Sequence, residues 1–138
     1  MTESTKINFI ARRVAEVEDV TDLVAILFPG NQNQQHAAAR VLLALKETPG
    51  PVASLSGLER KYGISRRTLQ RTRAKLARLG MIEYASRLNA RYGGQEGWRL
   101  SGRFSTALRQ LADRADQWRG DRRPERLEKD EQLVGLLG

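Results

Sequence analysis

Apolar residues in the first third of the chain recur at steps of three and four, the spacing of helices that bury one face. Ile7, Ile10, Val14 and Val17 predict a first helix over 5–18. Leu23 to Phe28 is too continuously apolar for a surface helix and stops at Pro29-Gly30. It is either a second, buried helix or a strand, and we read it as helix. Ala38, Val41, Leu42 and Leu45 predict a helix over 34–47 with Asn33 as its N-cap. Pro49-Gly50-Pro51 then forbids its continuation, because proline lacks the backbone donor and glycine favours a turn.

The middle of the chain changes rhythm. Ser56 and Glu59 stand three apart, the capping-box pattern in which each side chain satisfies a backbone donor at a helix start. That short helix ends at Gly63, which tolerates a sharp turn at positive φ, and Ile64 can plug the corner. Ser65 caps the next helix, over 66–79, whose Leu69, Thr72, Leu76 and Leu79 share one side. Arg67, Arg71, Ala74 and Arg78 fall opposite, with Arg66 and Gln70 on the shoulder and Arg73 and Lys75 flanking the apolar stripe. Two strands follow around 81–101, and Ser86 to Glu96 between them reads as a hairpin tip carrying Arg87, Asn89, Arg91 and Gly93-Gly94.

Phe104, Leu108, Leu111, Ala115 and Trp118 then recur at steps of four, three, four and three, a heptad seam that must bury against its own domain or a second chain. The charged segment 119–124 ends the folded core, and Leu127, Val134 and Leu137 predict a short helix over 125–137, a docking segment or a frayed end.

Charge sharpens this picture. The net charge is +8, and residues 51–103 hold 12 Lys or Arg against three Glu, while the remainder holds 12 against 13. An excess confined to one segment gives a surface field that attracts polyanions. A basic helix face is ordinarily just solvated, but such faces mix signs to gain pairs one turn apart. The helix over 66–79 carries six cations and no acid. The walls of a DNA major groove supply the missing anions and admit a helix of this width.

The run Leu58-Glu59-Arg60-Lys61-Tyr62-Gly63-Ile64-Ser65-Arg66-Arg67-Thr68-Leu69 resembles the winged helix-turn-helix regulators. Leu76-Ala77-Arg78-Leu79-Gly80-Met81-Ile82-Glu83 is similar to that family's exit from the recognition helix into the first wing strand, and Gly97-Trp98-Arg99-Leu100-Ser101 to its returning strand. The chain departs from the pattern at Glu59-Arg60-Lys61, where small residues usually allow close helix crossing. The resemblance implies a mostly α fold with a small β-hairpin wing, extended by N- and C-terminal helices. Its parts would be a helical extension over 1–30 that is a candidate for dimerisation, a DNA-binding domain over 31–101, an amphipathic helix over 102–119, and a charged linker and tail over 120–138.

The resemblance further implies that Arg66, Arg67, Gln70 and Arg71 reach base edges, with Ala74 against a thymine methyl, and that Ser65, Arg73, Lys75 and Arg78 contact phosphates. In residue type, Arg67 and Arg71 suit guanine and Gln70 suits adenine. Arg87, Asn89 and Arg91 of the wing would approach the minor groove, while Tyr92 and Trp98 read as packing residues. The expected partners are double-stranded DNA and a second copy of the chain, held at the Phe104–Trp118 seam, with a protein partner for the tail as a further candidate.

The expected role is transcriptional regulation. A partition, replication or mobile-element DNA-binding protein is the alternative, and a winged-helix protein-interaction module is a third reading.

Other chemistries find little footing. The chain has no cysteine, which excludes disulfides, thiolate metal sites and cysteine nucleophiles and suits a reducing cytoplasm beside the nucleoid. No signal peptide or 18-residue apolar run is present, so no membrane association is expected. The one histidine, His36, has no acidic or hydroxyl neighbour, and Asp113 and Asp116 lie among Arg109, Arg114 and Arg119 as surface ion pairs. We expect no catalytic residues, no metal and no cofactor.

Overall fold

The computed structural model describes residues 5–86 and 95–138. Among these, the order is α1 (Ala11–Ala15), α2 (Val20–Leu27), α3 (Gln32–Glu47), α4 (Gly57–Tyr62), α5 (Arg66–Leu79), β1 (Ile82–Ala85), β2 (Gly97–Leu100), α6 (Arg103–Gly120) and α7 (Pro124–Gly135). The protein is therefore mostly helical with a small antiparallel sheet. Two compact units divide the chain, Met1–Phe104 and Ser105–Gly138.

Residues 5–18 do not form the single helix that their spacing predicts. Only Ala11–Ala15 is helical, and no side chain caps it. Upstream, the Asn8 amide donates to the Ile26 carbonyl at 2.9 Å. This pairing with the end of α2 competes with helix in a segment too short to nucleate firmly by itself. The apolar stripe is split in consequence, with Ile7 packed on the core and Ile10 and Val14 exposed.

Leu23 to Phe28 is helix up to Leu27, in keeping with the helical reading. Asp19 starts α2 by accepting from the Asp22 amide at 3.1 Å and from the Thr21 hydroxyl at 2.6 Å. These bonds, the Thr21 hydroxyl first, hold the Asp19 carboxyl below its ordinary pKa. Val24, Leu27 and Phe28 are buried, so residues 20–28 belong to the domain core and are not an extension of it.

Helix α3 begins two residues earlier than predicted, because Asn31, not Asn33, accepts from the Gln34 amide at 3.0 Å. Ala37, Ala38, Val41, Leu42 and Leu45 are buried along α3, which packs on α2, α5 and β2. Leu69 and Leu76 of α5, Leu55, Ile64 and Ile82 complete the core. Thr72 is buried there too, and its hydroxyl makes no hydrogen bond within the protein. Against a valine of the same shape, such a hydroxyl costs about 1–3 kcal/mol.

The sheet pairs β1 with β2 in the register Ile82–Leu100, Glu83–Arg99, Tyr84–Trp98 and Ala85–Gly97. Val52 adds an isolated bridge on the far side of β2, exchanging two hydrogen bonds of 2.8 Å with Trp98. Sequence periodicity gives no sign of this bridge, because Pro51-Val52-Ala53 is too short for any period to register.

In the second unit the segment 119–124 is not an extended linker. Helix α6 continues to Gly120, and only Asp121–Arg123 separates it from α7, whose Pro124 occupies the first helical turn, where no backbone donor is needed. The Asp121 carboxylate accepts from the Arg123 side chain, twice at 2.8 Å, and from its amide at 3.3 Å. The Arg123 guanidinium brings the Asp121 pKa down to about 2. The tail over 120–138 is thus largely helical, and the predicted helix over 125–137 is shifted to Pro124–Gly135.

Candidate nucleic-acid interface

A three-residue turn presents α5. Gly63 adopts the left-handed conformation at φ 65° and ψ 32°, and the Ile64 amide donates back to the Glu59 carbonyl at 3.1 Å. Ile64 then buries its side chain in the corner between α4 and α5. Ser65 caps α5, its hydroxyl oxygen accepting from the Thr68 amide at 3.1 Å. By contrast, Ser56 makes no capping bond, so the Ser56–Glu59 capping box does not form. The Ser56 backbone is already helical at φ −61° and ψ −26°, which turns the hydroxyl away from the following amides, and it lies 2.9 Å from the Ser54 hydroxyl instead.

Burial divides α5 along its length. Leu69, Thr72 and Leu76 face the core and Leu79 is half-buried, whereas Arg66, Arg67, Gln70, Arg71, Ala74 and Arg78 are turned outward. Arg67, Arg71, Ala74 and Arg78 follow one line along the helix at steps of four, three and four. No carboxylate stands in that line or anywhere else on α5.

Two of the residues expected at phosphates are turned toward the protein. Lys75 donates to the Lys6 carbonyl at 2.6 Å and stands 4.6 Å from the centre of the Phe28 ring. Burial, and then the charge of Arg78, push its pKa below the usual lysine value. Lys75 therefore ties the N-terminal segment to α5. Arg73 is half-buried with its guanidinium 5.0 Å from the Trp98 ring centre, and Tyr84 meets the same indole edge-on at 5.2 Å. Trp98 so locks α5 to the sheet, in line with its reading as a packing residue.

The structure adds two cations that sequence reasoning leaves out. Arg60 and Lys61, both on α4, join Ser56, Gly57, Glu59 and Arg66 around an open groove at the start of α5. The charged run Glu59-Arg60-Lys61 is the signal for them in the sequence, although it reads there only as a departure from a packing pattern. Helix α4 has no buried residue and rests on the core through half-buried Leu58 and Tyr62, the latter under the Arg40 guanidinium at 3.9 Å.

No family model matches this chain, and no curated protein or solved structure matches it.

Of the three acids of residues 51–103, Glu83 is paired with Arg99 and, at 3.4 Å, with Arg103, while Glu59 lines the groove at the start of α5 beside Arg60, Lys61 and Arg66. Arg87, Asn89 and Arg91 lie outside the described residues. Among the described residues no cluster of three His, Cys, Asp or Glu could hold a metal, and no helix is long and apolar enough to cross a membrane. His36 is exposed and accepts from Arg40 at 3.4 Å. Helix α5 thus offers four outward guanidinium groups, a side-chain amide and a small apolar patch at Ala74, a donor-rich surface chemically suited to anions.

Proposed function

We propose that this protein is a winged helix-turn-helix protein that binds double-stranded DNA sequence-specifically, with α5 as its recognition helix, and that it acts as a transcriptional regulator. The observation that carries the reading is the outward, acid-free face of α5 set opposite a buried apolar face. Like charges one turn apart, such as Arg67 and Arg71, cost a free helix roughly 0.2–0.5 kcal/mol per pair. Phosphates on both walls of a major groove reverse that sign, and the groove, about 12 Å wide, fits a helix of about 10–12 Å diameter.

The order of elements supports the same reading: helix, a bridge at Val52, helix, tight turn, helix, then two antiparallel strands. In this reading Arg66, Arg67, Gln70, Arg71 and Ala74 address base edges. Arg78, Arg60 and Lys61 contact phosphates, in place of Lys75 and Arg73, whose charged ends serve packing. Ser65, as the cap of α5, sits where the backbone amides of a helix start meet a phosphate. Arg87, Asn89 and Arg91 are assigned to the minor groove by their place in the sequence alone.

Fluorescence anisotropy with random-sequence duplex at several salt concentrations tests the electrostatic half of the proposal. With one phosphate neutralised by each of Arg60, Lys61 and Arg78, the logarithm of the binding constant should fall against log salt with a slope of about −3 or steeper. Absence of binding at low salt would remove the DNA reading and leave the basic face to an acidic protein.

A further inference from the structure

We infer that the cleft between α1 and α2 is a binding site for a small zwitterion with an aliphatic body, of which an apolar α-amino acid is the simplest member. None of its lining residues belongs to α5, so the site is independent of DNA binding.

The cleft has a volume of about 430 Å³, within the range of small-molecule sites. Helix α1 and the turn after it supply one wall through Arg12, Arg13, Glu16 and Val17, whose spacing puts them on one helical face. Asp22, Ala25 and Ile26 supply the other, at steps of three and one along α2. Asn8 stands where the walls are tied together. Its amide donates to the Ile26 carbonyl at 2.9 Å, and two residues upstream the Lys6 carbonyl accepts from Lys75 at 2.6 Å. Ile7 between them packs on the core, so this end of the cleft is fixed by contacts within the protein. Helix α1, by contrast, has five residues, no side-chain cap and no buried residue. A ligand that bridges α1 to α2 adds an anchor that so short a helix lacks.

The cleft has an aliphatic floor and a rim charged with both signs. Val17 and Ile26 are half-buried and Ala25 is exposed, so an apolar body can lie along them. Arg12 and Glu16 stand four apart, the spacing of an ion pair, yet among the described residues Arg12, Arg13 and Glu16 make no side-chain hydrogen bond or ion pair. Cation before acid is the weaker order on a helix, because it sets both charges against the helix dipole. The two guanidinium groups are therefore open to a carboxylate, which arginine binds with a planar fork, and Glu16 is open to an ammonium. On the opposite wall Asp22 presents a second carboxylate, one oxygen of which accepts from the Glu18 amide at 3.2 Å. Two cations against two acids leave the rim neutral. Such a rim disfavours a simple anion or cation and favours a molecule that carries one charge of each sign.

Amide chemical shifts of the 138-residue chain, titrated with L-leucine in the absence of DNA, test this assignment. The shifts should saturate with a Kd on the order of 1 mM, as suits so small a ligand on an open cleft. They should be confined to Asn8 and to residues 12–17 and 22–26, and amide exchange in α1 should slow. Isoamylamine, which lacks the carboxylate, and isocaproate, which lacks the ammonium, should each bind at least about tenfold more weakly, the loss of one charge-assisted contact. Arg12→Gln/Arg13→Gln and Glu16→Gln, all at exposed positions, should weaken L-leucine binding by a similar factor and leave the amides of the α3 and α5 core unmoved. Arg109→Gln, exposed on α6, should bind as the wild type does. The absence of saturable shifts up to about 20 mM L-leucine would overturn the inference. So would equal affinity for isocaproate, which would make the cleft a plain anion site, or shifts that persist unchanged in both cleft variants. Because no nucleic acid is present, failure here is separable from failure of the DNA-binding proposal.

Discussion

Replacing Arg67 and Arg71 together by alanine should abolish preference for a specific duplex while leaving the fold intact. Both side chains lie on the outward line of α5, so stability should change by no more than about 0.5 kcal/mol. A bidentate hydrogen bond to guanine O6 and N7 discriminates by roughly 1–3 kcal/mol, and tenfold in affinity is about 1.4 kcal/mol. Without either arginine, binding to the preferred site should weaken by about 100-fold or more. Binding to random duplex should weaken much less, because Arg60, Lys61, Arg66 and Arg78 remain. The paired change Arg67→Lys/Arg71→Lys keeps the charge but not the planar fork, and should retain random-duplex binding while most of the preference disappears. Equal weakening on every sequence would mean that these arginines hold phosphates only. Unchanged binding would take α5 out of the interface.

The largest effect on folding is expected at Gly97. Its φ is +149°, and a Cβ built there would lie 2.5 Å from the Val52 carbonyl oxygen, 2.6 Å from the Val52 carbonyl carbon and 2.9 Å from the Ala53 nitrogen. All three are backbone atoms, which cannot step aside as a flexible side chain does. Gly97→Ala must push the Val52 segment off β2 and break the two 2.8 Å bonds to Trp98. With them goes the placement of the indole between Tyr84 and Arg73. We expect a destabilisation of about 3 kcal/mol or more in urea denaturation, a large share of the roughly 5–15 kcal/mol that holds a domain together. Gly63→Ala is the internal comparison. It also has a positive φ, 65°, but nothing lies within 4 Å of the added carbon, so only conformational strain of about 1–2 kcal/mol is expected. Equal costs for the two substitutions would show that the Val52 bridge contributes little.

The parts of the fold that the sequence expressed are those fixed by local chemistry. Ser65 as a cap, Gly63 at the turn, Arg66–Leu79 as a helix and Leu69, Thr72 and Leu76 as its inner face all follow from residues within a few positions of one another. Where a distant partner decides the outcome, the pattern misled. Ile7 and Ile10 have helical spacing, yet Asn8 pairs with Ile26 and keeps the segment extended. Ser56 and Glu59 have capping-box spacing, yet the backbone at Ser56 is already helical. Lys75 sits on a basic helix like its neighbours, and only the fold brings the Lys6 carbonyl and the Phe28 ring beside it. The same holds for the candidate interface. The outward set on α5 was legible from period alone, but the addition of Arg60 and Lys61 required knowing how α4 lies against the core.

Selection of duplexes from a random library by the 138-residue chain tests the central claim most directly. If α5 reads base edges, a few positions should be enriched, with guanine prominent among them and adenine where Gln70 reaches, and Arg67→Ala/Arg71→Ala should erase the guanine preference. Recovery of a sequence pool indistinguishable from the starting library would contradict the account.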